Sequence, residues 1–91
     1  MSRIDVTATG EVGAYDVTVD DGGRVSRHRV RVPDDLASVG LPEVDHERLV
    51  RESFEFLLER EPASAIMSEF ELTVIVRYFP EYQEELRSRL A

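Results

Sequence analysis

The chain has 91 residues and a net charge of −8, and its hydrophobic content of 42% is enough for one small folded domain with a modest core. It contains no cysteine, which excludes a disulfide framework and thiolate chemistry. All 11 basic residues are arginine, and the acidic balance argues against sequence-independent binding to nucleic acid, because contacts to phosphate need a basic surface.

Two explanations of this composition stay open. An acidic surface keeps a halophilic protein hydrated in concentrated salt, whereas a high-GC genome replaces lysine by arginine without any physical advantage. The first ten residues, MSRIDVTATG, lack the apolar core of a signal peptide, and no apolar run approaches the ~20 residues that span a bilayer. We therefore expect a soluble cytoplasmic protein that does not contact membranes.

Alternating residues predict three strands in the first third of the chain. Apolar and polar residues alternate over 4–9 and again over 15–20, which is typical of half-buried strands. The sequence Asp-Asp-Gly-Gly at 20–23 predicts a tight hairpin turn, because glycine supplies the positive φ angles that such turns need. Residues 24–32 then return as a third strand.

The register of this hairpin separates an inner face from an outer face. If residues 21 and 22 form the loop, Asp16 lies opposite Arg27. The inner face, which a helix should cover, carries Tyr15, Val17, His28, Val30 and Val32. The outer face carries Asp16, Thr18, Arg27, Arg29 and Arg31. We expect the arginines to be solvated and partly neutralised by cross-strand Asp, and Arg27, Arg29 and Arg31 are the candidate face for an anionic partner.

The strongest helix signal covers residues 45–61. Asp45 suits the N-cap, because its carboxylate can accept hydrogen bonds from the free amides of the first turn. The apolar side chains of 49–58 fall within an arc of roughly 200°, which is wider than one contact surface needs. We therefore expect this helix to pack against the sheet on one side and against the C-terminal segment on the other.

The signal between residues 63 and 82 is ambiguous. The β-branched residues of 73–76 favour a strand, whereas Thr73 can cap a helix and Ile75 and Phe79 fit helical spacing. We favour two short helices, at about 63–70 and 73–79, with Pro80 ending the second. A polar terminal helix follows, with Leu86 and Leu90 on one side.

These elements predict an α+β fold: a three-stranded antiparallel β-meander packed against one long amphipathic helix, followed by short C-terminal helices. We expect a single domain over 1–91, with the meander in 1–32, the main helix in 45–61 and the short helices in 63–91.

No motif for catalysis, a cofactor or a metal is present. The pair His46-Glu47 lacks the second histidine of a zinc-protease helix, and no serine lies in a Gly-x-Ser-x-Gly turn. The glycines at 10 and 13 lack the third glycine of a nucleotide-binding fingerprint. His28 is interpreted as a hydrogen-bonded imidazole on the inner face. We therefore predict a protein that is not an enzyme and has no cofactor and no metal.

The sequence Tyr-Phe-Pro-Glu-Tyr at 78–82 concentrates aromatic side chains near one end of a small chain. These side chains belong either to the core or to an exposed patch for a partner or a second copy. Tyr78, Phe79 and Tyr82 are the candidate partner interface. The function predicted is a small acidic protein-interaction module, which we expect to self-associate as a homodimer.

Two resemblances accompany these patterns. The segments SFEFLLEREP and FELTVIVRYFPEY resemble the shared tail of a group of small uncharacterised prokaryotic proteins that carry a β-hairpin ahead of it; the resemblance adds no site residue. The sequence Val-Pro-Asp at 32–34 and the helix at 49–58 are more weakly similar to HicB-type antitoxins. That similarity implies an alternative function, an antitoxin-like or nucleic-acid-linked transcriptional regulator that uses the strand Arg24–Arg31.

Overall fold

Four strands form one mixed sheet. The computed structural model describes residues 2–91 and contains the strands β1 (Ser2–Ala8), β2 (Ala14–Asp21), β3 (Arg24–Arg31) and β4 (Glu69–Glu71). They lie in the order β1-β2-β3-β4; β2 is antiparallel to both β1 and β3, and β4 is parallel to β3. The fold is α+β, but the prediction of a three-stranded antiparallel meander is wrong, because the sheet has four strands and is mixed.

The fourth strand was not predicted from the sequence, because it is short and because it follows a long crossover connection. Its sequence is Glu-Phe-Glu, only 3 residues, which is too short to display an alternating pattern. A parallel neighbour also needs a long crossover, and here the crossover contains the main helix. The predicted helix at 63–70 is therefore wrong: a single 3-10 turn, Ala63–Ala65, precedes β4.

The hairpin between β2 and β3 turns at two glycines. Gly22 and Gly23 have φ angles of 64° and 95°, a combination that side chains with a Cβ adopt only with strain. Asp21 therefore pairs with Arg24, and Asp16 pairs with Arg29 rather than with Arg27. The shift from the predicted register is two residues along β3. Because side chains alternate with period two, the residues of each face are those predicted.

The helix α1 (His46–Leu58) covers the inner face of the sheet. Its N-cap prediction is confirmed: the side chain of Asp45 accepts a hydrogen bond of 3.3 Å from the backbone N–H of Arg48. On the sheet side, the ring of Phe54 lies 5.3 Å from the imidazole of His28. On the other side, the ring of Phe56 lies 5.2 Å from that of Tyr82. The predicted two-sided packing is thus confirmed.

Two further helices complete the chain. The segment 73–76 is helical, within α2 (Thr73–Tyr78), and α3 (Tyr82–Arg89) follows after Pro80. Side chains of α3 reach the 3-10 turn Ala37–Val39: the Nε2 of Gln83 donates to the carbonyl oxygen of Val39 at 2.6 Å. At the other end of α3, Arg89 donates to both carboxylate oxygens of Glu59, at 2.6 and 2.7 Å, and this contact lowers the pKa of Glu59.

Candidate partner-binding site

The three aromatic residues predicted as an interface do not share one surface. Tyr78, in the last turn of α2, is 72% exposed, whereas Tyr82 is fully buried at the start of α3. Phe79 is half-buried, and its ring meets that of Phe56 edge to face at 5.7 Å. Tyr82 is therefore removed from the candidate interface. Its place on the face of α3 that also buries Leu86 follows helical spacing, which was the signal in the sequence that could have placed it in the core.

Tyr82 makes a directed polar contact inside the core. Its hydroxyl lies 2.6 Å from the Oγ of Ser53, and that Oγ lies 2.7 Å from the carbonyl oxygen of Leu49. A carbonyl oxygen can only accept, so Ser53 donates to Leu49 and the hydroxyl of Tyr82 donates to Ser53. Burial raises the pKa of Tyr82 above its ordinary value, because the charged phenolate would lose its hydration. The residue fastens α3 to α1.

Tyr78 borders an apolar groove between the end of α1, β4 and α2. The groove has a volume of about 430 Å³. We call it the Tyr78 groove; its lining residues are Leu57, Glu61, Ala65, Ile66, Met67, Phe70, Val74, Ile75, Tyr78 and Phe79. The sequence pattern pointed to Tyr78 and Phe79 but missed the contribution of Met67 and Phe70, because their position depends on β4.

Two of the most exposed large hydrophobic side chains of the described chain lie at this groove. Met67 is 48% exposed and Tyr78 is 72% exposed, and both line the same groove. Isolated exposed hydrophobic residues are ordinary on protein surfaces, but a contiguous set around a groove is typical of interaction sites. The flexible thioether of a methionine is suited to packing against varied partners. Glu61 is the one charged residue among the lining side chains.

Arg27, Arg29 and Arg31 of β3 lie on the outer face of the sheet, as the register requires, and two of the three have ion pairs. The Nε of Arg29 donates to the carboxylate of Asp16 at 3.0 Å, and Arg31 donates to Glu11 at 2.9 Å. Within the part of the chain that the structure describes, the side chain of Arg27 has no ion pair.

Strand β4 adds negative charge beside this arginine row. Glu69 is the register partner of Arg29, and Glu71 is the register partner of Arg31. Basic β3 therefore lies between acidic residues of β2 and of β4. This pattern, Glu-Phe-Glu against Arg-Val-Arg, is the signal in the sequence that could have identified β4. The predicted face for an anionic partner is a surface of mixed charge.

Both histidines are occupied in structural contacts. His28 is 5% exposed, and its Nδ1 donates to the carbonyl oxygen of Met67 at 2.8 Å. In the neutral imidazole that bond places the proton on Nδ1, and Nε2 then accepts from the hydroxyl of Ser26, which lies at 2.9 Å. The Nδ1 of His46 lies 3.1 Å from the hydroxyl of Tyr15. His28 thus ties β3 to the segment that enters β4.

Residues 2–91 contain no cluster of three or more side chains suited to holding a metal ion. In the same residues, no helix has the length and apolar character needed to cross a membrane. Comparison with protein-family models, with curated proteins and with solved structures found no significant match to this chain. The resemblances to a small prokaryotic family and to HicB-type antitoxins therefore stay predictions.

Proposed function

We propose that this chain is a non-enzymatic protein-interaction module whose partner protein packs into the Tyr78 groove. The observation that carries the proposal is the exposure of Tyr78 and Met67 on one apolar groove of about 430 Å³. Interfaces are enriched in tyrosine and methionine, and the most effective anchors fill a pocket near the centre of the contact. Removing these side chains from water on binding supplies the driving force.

A second copy of the chain is a less favourable occupant than a different protein. Each copy carries a net charge of −8, so two copies repel one another at low ionic strength. One of these negative charges, that of Glu61, lies at the groove itself. The expectation of a homodimer is therefore replaced by a partner of complementary charge.

The antitoxin-like alternative receives less support. A regulator that binds nucleic acid through β3 needs free arginines along its outer face. Arg29 and Arg31 are instead paired with carboxylates, so among the three outer-face arginines Arg27 is the one without an ion pair to another described residue. We therefore do not propose a nucleic-acid-binding function.

The test of the interaction function compares variants at two exposed hydrophobic positions. Tyr78→Ser removes the groove side chain, and Val25→Ser is the matched control, because Val25 is 57% exposed in β3 and does not line the groove. Proteins captured by the wild-type chain are purified and titrated against all three forms by calorimetry. We expect wild-type and Val25→Ser affinities to agree and Tyr78→Ser to bind roughly tenfold or more weakly, as expected for an aromatic anchor.

Equal binding by the three forms would refute the Tyr78 groove as the docking site. Sedimentation of the wild-type chain over a range of concentrations tests the second copy as occupant. A dimer that is lost in Tyr78→Ser and kept in Val25→Ser would show that the partner is another copy, against the charge argument.

The non-enzymatic part of the proposal has its own test at Ser26. The order of bonds from Ser26 to His28 to the carbonyl of Met67 matches that of a nucleophile, its base and an orienting group. A fluorophosphonate probe labels an activated serine. We expect no labelling, because His28 is buried and is oriented by a neutral carbonyl rather than by a carboxylate, so the imidazolium that a catalytic base must form would not be stabilised. Labelling that disappears in Ser26→Ala would show a hydrolase-type site instead.

A further inference from the structure

The backbone of β4 has a free side. Arg29 donates to the carbonyl oxygen of Ser68 at 2.7 Å, and Leu72 donates to the carbonyl oxygen of Arg31 at 3.0 Å. In a parallel ladder, these two bonds assign Ser68, Phe70 and Leu72 to the side that faces β3. The N–H and C=O groups of Glu69 and Glu71 therefore point away from β3, and β4 is the last strand of the sheet.

The side chains around this edge match an extended segment of particular chemistry. Glu69 and Glu71 are exposed on the outer face, and neither takes part in an ion pair with another described residue. Between them Phe70 points to the inner face, where it lines the Tyr78 groove. A strand laid against β4 would place alternate side chains opposite the two carboxylates and the intervening side chain beside Phe70.

We propose that the partner binds as an extended protein segment that adds a fifth strand to β4, with basic side chains opposite Glu69 and Glu71 and an apolar side chain entering the Tyr78 groove. This inference rests on the proposed interaction function and specifies its partner. Main-chain hydrogen bonds to the free edge supply affinity, and the alternation of basic and apolar side chains supplies specificity.

The same geometry disfavours two other occupants. A second copy paired through its own β4 antiparallel to the first would set Glu69 of one copy opposite Glu71 of the other, and like charges directly opposite are destabilising. The carboxylate of Glu71 accepts a hydrogen bond of 2.9 Å from the hydroxyl of Thr73, but neither carboxylate has an ion pair within the described chain, and an acidic or uncharged segment would add none. Only a segment with arginine or lysine at alternate positions satisfies both the charge and the pleat.

A short synthetic peptide in which arginine alternates with valine is the probe. Its binding to the intact chain is measured by fluorescence anisotropy, with a peptide of glutamate and valine as the negative control. We expect binding of the basic peptide alone, weakening as ionic strength rises, since exposed charge pairs are screened by salt. Absence of binding by the basic peptide at low salt would overturn the proposal.

Variants at β4 test the charges. We expect the double change Glu69→Gln and Glu71→Gln to weaken binding of the basic peptide by roughly fivefold, because each cross-strand charge pair contributes modestly. The matched control is the double change Glu43→Gln and Glu84→Gln, which removes the same number of charges at two exposed carboxylates that do not line the groove. Equal weakening by both would mean that binding follows net charge alone, which would refute the edge as the site.

N-methylation of the peptide tests the main-chain bonds. In an antiparallel addition, the residues opposite Glu69 and Glu71 exchange both bonds with them, so methylation at the arginines blocks binding; in a parallel addition, methylation at the valines does so. If both methylated peptides bind as the parent does, the fifth strand is excluded. If peptide binding fails while Tyr78→Ser still loses the captured partner, the interaction function stands and only this inference falls.

Discussion

The two edges of the sheet differ in how they are covered. Thr9 donates to the carbonyl oxygen of Ala14, so the antiparallel ladder turns the backbone groups of Ile4 and Val6 away from β2. Arg51 of α1 reaches over this edge and donates to the carbonyl oxygen of Ile4 at 2.8 Å. At β4, no hydrogen bond from another element of the described chain reaches the free backbone groups of Glu69 or Glu71.

The difference shows which edge of the sheet can accept a further strand. Proteins cover or charge the edges of their sheets, because an uncovered edge pairs with other chains. Here an arginine of the main helix binds one outward carbonyl oxygen of β1, that of Ile4, whereas β4 is short, contains two glutamates and is continuous with an apolar groove. The covered edge protects the fold, and the charged edge restricts pairing to segments of opposite charge.

The largest effect is expected when the side chain of α1 that packs beneath β3 and β4 is replaced. Phe54 is 0% exposed in α1, and its ring lies 6.0 Å from that of Phe70 in β4. Truncating a buried phenylalanine alone costs about 3–5 kcal/mol, and Phe54→Asp adds a charge in the core. Since small domains are stable by only about 5–15 kcal/mol, we expect the variant to be unfolded at 25 °C.

Circular dichroism on heating checks this expectation, and Glu55→Gln, at the adjacent exposed position of α1, is the control that should melt as the wild type does. A native-like melting curve of Phe54→Asp would contradict the placement of α1 between the two edges.

The second prediction separates the core tyrosine from the groove tyrosine. Tyr82 is fully buried and Tyr78 is 72% exposed. We expect Tyr82→Ala to lose about 3–5 kcal/mol of unfolding free energy, through the cavity and the lost contact to Ser53. We expect Tyr78→Ala to change it by no more than about 0.5 kcal/mol, as for most surface substitutions. Urea unfolding measures both, and similar losses would show that Tyr78 is not a free side chain beside β4.

The sequence alone was sufficient to predict the strands β1 to β3 and the start of α1. Local signals define its parts: alternation for β1 to β3, two glycines for the hairpin, and Asp45 for the start of α1. The register error of two residues arose because both Asp-Gly and Gly-Gly can form a two-residue turn. The assignment of residues to the two faces of the sheet was still correct, because the register shift is an even number of residues.

The strand β4 and the Tyr78 groove could not be derived from the sequence in the same way. Strand β4 is defined by a partner that lies about forty residues earlier in the chain, and three residues carry no local signature. The difference between Tyr78 and Tyr82 depends on where Pro80 ends one helix and the next begins, which rotates the two side chains to different surfaces. The groove exists only once β4 and α2 are both in place, so its residues were found only in part.

The third prediction concerns a variant in which the outward backbone groups of the β1 edge, like those of the β4 edge, receive no hydrogen bond from another element of the described chain. Arg51→Ala removes the hydrogen bond to Ile4 and the ion pair to Glu47 on the same helix, and it leaves the carbonyl oxygen of Ile4 without a partner from α1. We expect a loss of about 1–2 kcal/mol, because the lost bond has a charged donor that is itself part-exposed, together with concentration-dependent association through the opened edge. Arg48→Ala is the control, with the same change of charge on the same helix and no side-chain hydrogen bond among the described residues.

Urea unfolding and sedimentation measure the two effects of this change. If Arg51→Ala stays monomeric while the edge is open, backbone exposure alone does not cause pairing, and the charged edge of β4 would need its groove to bind anything.

The smallest effect concerns the attachment of α3 to the closed side of α1, and pH reveals it. Burial raises the pKa of Tyr82 in the folded state, while in the unfolded chain its hydroxyl titrates near 10. Above about pH 10 the unfolded state therefore loses a proton that the folded state keeps, so the unfolding free energy falls as pH rises further. Tyr82→Phe should cost about 1 kcal/mol at neutral pH, from the lost bond to Ser53, and should flatten this alkaline decline.

Tyr78→Phe should keep the wild-type profile. Urea unfolding at a series of pH values measures all three curves. Because Tyr82→Phe keeps the ring, a decline as steep as in the wild type would mean that alkaline sensitivity comes from elsewhere in the chain. The contact of Tyr82 with Ser53 would then not be the pH-sensitive link between α1 and α3.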